Sequence, residues 1–203
     1  SECSMSTAIK PMHTCKNMRQ LLVDKTTRLI LVKGLDNVKS RDITEAMNIS
    51  RSHLYHYFSN MKELQAESCR HFLEEETRHF RCLMAGMSYD EKLAAFVDYY
   101  LPSHKDDSWN LYGDVWHKAV RDSDYAQLAS HIHHLWSALL SEIFSEMHPP
   151  ALVSRMARTV MAALNGYAST MMLGEYASSA QDAMDDILVL ISGLSRPGPT
   201  ALR

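Results

Sequence analysis

The stretch from residue 39 to residue 64, KSRDITEAMNISRSHLYHYFSNMKEL, constrains the fold more than any other part of the chain. Ile43, Ala46 and Met47 are three and four residues apart, so they share one face of a short helix that we expect to lie against the core. Asn48 follows them, and asparagine is one of the few residues that tolerate a left-handed backbone conformation. The sequence therefore predicts a short helix that ends in a tight turn.

The residues after this turn predict a second short helix. Ser50 is a good N-cap, and Leu54, Tyr57 and Phe58 have the i, i+3, i+4 spacing that would anchor the helix to the one before it. The side chains that then point outward are Arg51, Ser52, His53, Tyr55 and His56. Such side chains can donate hydrogen bonds to the base edges displayed in the major groove of DNA. The pattern is typical of a helix-turn-helix that reads DNA.

With these residues in place, the segment GLDNVKSRDITEAMNISRSHLYHYFSNMKEL resembles the DNA-binding domain of the TetR family of bacterial repressors. The residues that carry the resemblance are Leu22, Leu29, Ile30 and Gly34 in the first helix, Arg41, Asp42, Ile43 and Ala46 in the second, and Leu54, Tyr55, His56, Tyr57 and Phe58 in the third. They cover about a quarter of the chain. The resemblance implies an all-helical homodimer with a ligand pocket in its C-terminal domain, which releases DNA when a small molecule binds.

The sequence departs from the family pattern at several positions, including Ser52 and His53, which replace a frequent pair of small residues at the start of the third helix. Asn48 replaces the usual turn glycine, and Ser40 stands where a small apolar residue is usual. Similar proteins usually place a phosphate-contacting lysine at the position of Met61, whereas here the lysine is Lys62. We expect base edges to be approached by Arg41, Arg51, Ser52, His53 and Tyr55, and we expect His56, Tyr57 and Lys62 to contact the DNA backbone or to pack.

Helix signals recur along the rest of the chain and strand alternation is hard to find, so we predict an all-α fold with about nine helices. The predicted helices end or begin at capping signals, such as Gly34 after the first helix and the Ser88 and Glu91 pair before the fifth. The later helices are expected at about 108–120, 123–147, 150–173 and 180–192. The predicted regions are a flexible arm at 1–16, a helix-turn-helix domain at 17–65, a helical effector-binding and dimerisation domain at 66–194, and a loose tail at 195–203.

The charge distribution agrees with a DNA-binding N-terminal region. Residues 1–65 hold ten Lys or Arg against six Asp or Glu, a net charge of +4, whereas residues 66–203 hold eleven against eighteen, a net charge of −7. Long-range attraction to phosphate would therefore favour docking through the N-terminal region, with a strong dependence on salt.

The residues that could carry other chemistry form no recognisable site. The four cysteines, Cys3, Cys15, Cys69 and Cys82, include no CxxC pair. His131, His133 and His134 have no carboxylate or cysteine at metal-ligand spacing, so we predict neither a metal nor a cofactor.

No GxSxG, HExxH or phosphate-binding glycine loop occurs, which makes an enzyme the weakest alternative. The other alternative is a helical interaction or scaffolding protein whose helix-turn-helix serves packing. No secretory or membrane-spanning segment is evident, so we expect a cytoplasmic protein.

Aromatic residues suggest two interpretations of the C-terminal domain. Trp109, Tyr112 and Trp116 lie at i, i+3 and i+7, and neighbouring predicted helices carry Phe96, Tyr99 and Trp136. These residues form either ordinary core or the lining of an effector pocket. The segment 112–128 also resembles, more weakly, the ligand domain of choline-responsive repressors of betaine synthesis. That resemblance implies a cationic effector, which aromatic faces attract with about 2 kcal/mol or more when the cation is desolvated.

The last two predicted helices favour a dimer interface. Small and apolar residues occupy most of one broad face there, which allows close helix packing. In TetR-like proteins this pair of helices meets its symmetry mate as a four-helix bundle, although the same residues could instead fill the core of one subunit. The residues expected at the interface are Met161, Leu164, Ala168, Met172, Ile187 and Ile191.

Overall fold

The structure is a computed structural model that describes residues 17–101, 106–173 and 180–196. Within these ranges the chain forms nine α-helices and no strand, which confirms the all-α prediction. The helices are α1 Met18–Lys33, α2 Ser40–Met47, α3 Arg51–Tyr57, α4 Met61–Leu83, α5 Tyr89–Tyr100, α6 Asp107–Ala119, α7 Ser123–Ser145, α8 Pro150–Leu173 and α9 Ala180–Leu194, with a short 3-10 turn at Leu35–Asn37. The predicted arm at 1–16 and most of the predicted tail lie outside the described residues.

Local capping explains most of the helix ends. Gly34 has φ 86°, a conformation that side chains disfavour, and its N–H donates to the carbonyl of Ile30 to end α1. Ser88 and Glu91 form the predicted capping box at the start of α5. Asn60 accepts the backbone N–H of Glu63 at 2.9 Å, which caps α4. These signals are local in sequence, and the corresponding predictions are confirmed.

The described chain divides into two compact units. The first unit holds residues 17–78 and 106–132, and the second holds 79–101, 133–173 and 180–196. The division therefore falls inside α4 and inside α7. No helix in the described ranges is both long enough and apolar enough to cross a membrane.

Each unit has its own core. In the first unit α1 packs against α2 and α6, and the buried side chains include Leu22, Ile30 and Ile43. In the second unit α5, α8 and α9 pack against one another, with Met156 and Leu164 among the fully buried residues. The first core holds the short helices α2 and α3, which carry the candidate site.

The prediction that Ile43, Ala46 and Met47 of α2 lie against the core is only partly correct. Ile43 is fully buried, but Ala46 is exposed and Met47 is half-buried. The helix α2 has only eight residues, so few of its side chains can reach the core, and Ile43 is the one that is fully buried. Ala46 therefore faces solvent, which corrects the prediction that it lies against the core.

Candidate nucleic-acid interface

The turn between α2 and α3 has the geometry that its sequence predicts. Asn48 adopts a left-handed conformation with φ 52° and ψ 51°, and it is the only non-glycine residue with positive φ among those described. The N–H of Ile49 donates to the carbonyl of Thr44 at 3.1 Å and closes the turn. The hydroxyl of Ser50 then accepts the N–H of His53 at 3.0 Å, which caps α3.

A buried side fixes the orientation of α3. Leu54 is fully buried and Phe58, directly after the helix, is 2 % exposed. The guanidinium of Arg19 lies 4.5 Å from the centre of the Phe58 ring, and it also forms an ion pair with Glu67. Because α3 has only seven residues, these two apolar anchors decide which side chains face outward.

The opposite side of α3 presents polar and aromatic groups. Four of the six predicted DNA-contacting residues on α3 are exposed, namely Arg51, Ser52, His53 and His56. Tyr55 and Tyr57 are half-buried. The Arg51 guanidinium lies 5.6 Å from the centre of the Tyr55 ring, and the Tyr57 ring contacts those of both His53 and His56. These side chains form a compact surface of hydrogen-bond donors that could fit into a groove of DNA.

Arg41 lies on α2 and is also exposed. Its side chain is 86 % exposed, and its Nε lies 2.6 Å from the carboxylate of Glu45 one turn later. This hydrogen bond raises the pKa of Arg41. Pairs of this kind on a helix surface are weak, so a DNA phosphate or base edge could displace Glu45 at little cost.

Lys62, at the start of α4, is held by two carboxylates. Its ammonium lies 3.0 Å from Asp124 and 3.1 Å from Asp122, which belong to the segment between α6 and α7 and the first turn of α7. Hydrogen bonds to Asp124 and Asp122 raise the pKa of Lys62, and the Lys62 ammonium in turn lowers the pKa of Asp122. Asp122 also accepts the backbone N–H of Asp124 at 3.0 Å and so caps α7. The lysine predicted to contact DNA is therefore engaged by the protein itself.

Two further polar contacts join α6 to the segment after α1. The carboxylate of Asp114 accepts the N–H of Leu35 at 2.9 Å, and Lys118 pairs with Asp36 at 2.8 Å. The Lys118 ammonium lowers the pKa of Asp36. The sequence analysis predicted neither contact, because the partners are far apart in the chain, 79 positions for Leu35 and Asp114, and carry no local pattern that would pair them.

The six aromatic residues predicted for an effector pocket fall into two groups. Phe96, Tyr99 and Trp136 belong to the second unit, where they pack with Phe80 and Tyr100 at ring-centre distances of 5.2 to 5.8 Å. We call these five residues the aromatic core.

The other three, Trp109, Tyr112 and Trp116, belong to the first unit and form a row along α6, which we call the α6 aromatic row. Successive rings along it are 5.7 and 5.2 Å apart. Trp109 and Tyr112 are half-buried, and Trp116 is 37 % exposed. In the aromatic core, by contrast, Phe80, Phe96, Tyr100 and Trp136 are buried and only Tyr99 is half-buried.

The residues predicted for the dimer interface are mostly inside one subunit. Five of them are buried, namely Met161, Leu164, Ala168, Ile187 and Ile191. Met172 is 40 % exposed. The buried five lie on α8 and α9, which pack against each other within the chain. Their burial is therefore consistent with the alternative interpretation, in which these residues fill the core of one subunit.

The histidines of α7 do not gather with other ligands. His131 lies 2.9 Å from Glu74, and the rings of His133 and His134 are 6.1 Å apart. Among the residues that the structure describes, no group of three or more His, Cys, Asp or Glu side chains could hold a metal ion.

The N-terminal region of the chain matches a known family. Residues 22–67 match the family model of bacterial regulatory proteins, tetR family. The matched range contains α2, α3 and the start of α4, together with most of α1. No sequence among curated proteins matches the chain.

Three solved structures that share the fold are two transcriptional regulators and a multidrug-binding protein. A Saccharomonospora viridis protein assigned as a transcriptional regulator, in complex with choline, is 16 % identical with a TM-score of 0.69 and covers 86 % of this chain and 95 % of its own. A transcriptional regulator from Rhodococcus is 14 % identical, with a TM-score of 0.69 and coverage of 88 % and 96 %. The multidrug binding protein EbrR complexed with imidazole is 14 % identical, with a TM-score of 0.64 and coverage of 93 % and 99 %.

Proposed function

We propose that this chain is a TetR-family transcriptional repressor that binds a palindromic operator as a homodimer, because residues 22–67 match that family and the fold resembles solved structures of transcriptional regulators. A small-molecule effector releases it from the operator. The DNA target implies that it acts in the cytoplasm. The observation that carries the proposal is the outward face of α3, which holds exposed donors on a helix whose orientation is fixed by buried Leu54 and Phe58.

Replacement of Arg51 by alanine tests whether α3 contacts the bases of the operator. A side chain that contacts a base edge contributes about 1–3 kcal/mol of discrimination, so Arg51→Ala should weaken operator binding by that amount for each half-site and relax the preferred sequence. The operator is first selected from a random duplex library with the unaltered chain, and affinities are then measured by fluorescence anisotropy.

Arg78→Ala is the matched control for this experiment. Arg78 is also exposed and pairs only with Glu75 within α4 among the described residues, so its loss removes the same charge from a different surface. We expect Arg78→Ala to leave the selected sequence unchanged. Equal losses from both variants, or no enriched sequence from the unaltered chain, would contradict a reading role and favour a helix-turn-helix that serves packing.

We place the dimer contact on the exposed face of α8 and α9. This face differs from the buried set predicted from the sequence, because buried residues cannot meet a second subunit. Along α8 the exposed positions 162, 166, 169 and 173 have the spacing of a single helix face, and Leu173 is 74 % exposed. On α9 the apolar side chains of Leu188 and Val189 are 46 % and 73 % exposed. Small residues at 162 and 166 would let two helices approach closely.

For the effector we propose a cationic or aromatic small molecule that contacts the α6 aromatic row. None of its three rings is buried, whereas four of the five residues of the aromatic core are. Choline in the related Saccharomonospora viridis structure supports a quaternary ammonium group. The α6 helix also carries Asp114 and Lys118, which contact the segment between α1 and α2. A ligand on α6 could thereby change the position of the helix-turn-helix, provided it binds the two arrangements with different affinity.

The carboxylates that hold Lys62 are proposed to restrain DNA binding. The double variant Asp122→Asn with Asp124→Asn removes both negative charges and keeps a side chain at 122 that can cap α7. We expect it to bind the operator more tightly than the unaltered chain, since Lys62 is then free to contact a phosphate. We also expect the slope of log affinity against log salt concentration to steepen by about one unit for each subunit.

The same double substitution in a Lys62→Gln background is the control. If the carboxylates act through Lys62, they should have little effect on affinity once the lysine is gone. An equal gain in both backgrounds would show that the two aspartates merely repel DNA, and it would contradict a restraining role for this contact.

A further inference from the structure

A polar groove runs between α7 and α8 in the second unit. Its volume is about 540 Å³, within the usual range for small-molecule sites. None of its lining residues belongs to the DNA-facing set, to the aromatic core or to the α6 aromatic row. The buried side chains of Val153 and Ala157 form an apolar base, and Arg158, His133 and His134 line it together with four serines.

No described residue that lines the groove carries a negative charge. No Asp or Glu is among its lining residues, although the part of the chain after residue 65 carries a net charge of −7. The nearby acidic residues at the end of α7 are engaged elsewhere, because Glu142 pairs with Arg81 and Glu146 pairs with Lys92. Within the described residues, no carboxylate lies at ion-pair distance from Arg158. The charge of Arg158 is therefore available to a ligand.

The other polar groups of the groove can join Arg158 around one ligand. Arginine binds phosphate and carboxylate oxygens through two parallel hydrogen bonds, and serine hydroxyls and histidine ring N–H groups can donate further bonds. The Ser137 hydroxyl lies 3.5 Å from Nε2 of His133. Burial, and then the neighbouring His134, lower the pKa of His133, and a bound anion would shift that pKa in the opposite direction.

We propose that this groove binds a small molecule through an oxyanion head group, a phosphate or a carboxylate, held by Arg158 with His133 and His134. The groove, at about 540 Å³, leaves room beside the head group for a further part of the ligand on the apolar base formed by Val153 and Ala157. This site is separate from the proposed cationic effector contact on α6, and it does not depend on DNA binding.

Nuclear magnetic resonance of histidine rings tests the proposal on the full chain. The labelled protein is titrated with sodium phosphate, sodium acetate or sodium chloride at equal ionic strength, and the ring signals of His133 and His134 are assigned with His133→Gln and His134→Gln. We expect saturable shifts of these two signals with phosphate, acetate or both, which also identifies the head group, and no saturable shift with chloride. Shifts that are equal in all three salts would overturn the proposal.

Arg158→Gln and Arg155→Gln form a matched pair for the same titration. Both arginines are exposed on α8, but only Arg158 lines the groove. Loss of a charge-assisted hydrogen bond should weaken anion binding by about tenfold or more in Arg158→Gln, with little change in Arg155→Gln. Equal affinities would overturn the proposal. So would an altered sedimentation coefficient of Arg158→Gln, since Arg158 would then lie between copies of the chain. Operator affinity measured separately keeps this outcome distinct from that of the proposed repressor.

Discussion

Replacement of Phe58 by alanine should lower the free energy of unfolding by about 3–5 kcal/mol and abolish operator binding. Phe58 is 2 % exposed, and it lies beneath the guanidinium of Arg19 directly after α3. Its removal leaves a cavity at the point where the reading helix is anchored, and Leu54 alone cannot hold a seven-residue helix in place. Chemical denaturation followed by circular dichroism measures the first effect, and fluorescence anisotropy measures the second.

Tyr57→Ala is the appropriate comparison for Phe58→Ala. Tyr57 is the preceding residue and is also aromatic, but it is only half-buried and contacts the exposed rings of His53 and His56. We expect its loss to destabilise the protein by less than about 1.5 kcal/mol. Similar destabilisation by the two variants would mean that Phe58 does not anchor α3 as its burial indicates.

Replacement of Trp136 by alanine should also lower the free energy of unfolding by about 3–5 kcal/mol, here by disturbing the core of the second unit. Trp136 is 3 % exposed, and the rings of Phe80, Phe96, Tyr99 and Tyr100 lie 5.6 to 5.8 Å from it. Truncation removes the shared neighbour of four aromatic side chains. The measurement is again the denaturation midpoint and slope.

Trp116→Ala separates a structural role of the aromatic residues from a binding role. Trp116 is 37 % exposed at the end of the α6 aromatic row, so its loss should cost less than about 1.5 kcal/mol. If the row contacts a quaternary ammonium group, tetramethylammonium should raise the melting temperature of the unaltered chain and have a smaller effect on Trp116→Ala. A shift of the same size in both proteins would exclude Trp116 from the cation contact.

Much of the fold could be predicted from local sequence signals. The left-handed turn at Asn48, the caps at Ser50 and Ser88, and the stop at Gly34 all depend on residues within a few positions of one another. The range predicted for α8, 150–173, agrees with the structure. Each of these features follows from backbone preferences that act in any fold.

The candidate site was predictable only where one helix determines it. The exposed set on α3 follows from the spacing of Leu54 and Phe58, because a short helix has one buried side. The pairing of Lys62 with Asp124 depends instead on how distant helices pack, which no local pattern encodes. The same limit applies to Leu164, which is fully buried: the apolar pattern of its helix fits both a dimer interface and the core of one subunit, because it does not reveal which neighbour covers it.

The helix-turn-helix domain cannot be moved to another protein without its contacts to α6 and the start of α7. Asp114 holds the backbone of Leu35, Lys118 pairs with Asp36, and Asp122 and Asp124 hold Lys62. A fragment cut after residue 65 would retain the helix-turn-helix and lose every one of these partners. A hybrid regulator that borrows this operator specificity therefore needs residues 106–132 as well, since the unit that packs together is assembled from two separate parts of the chain.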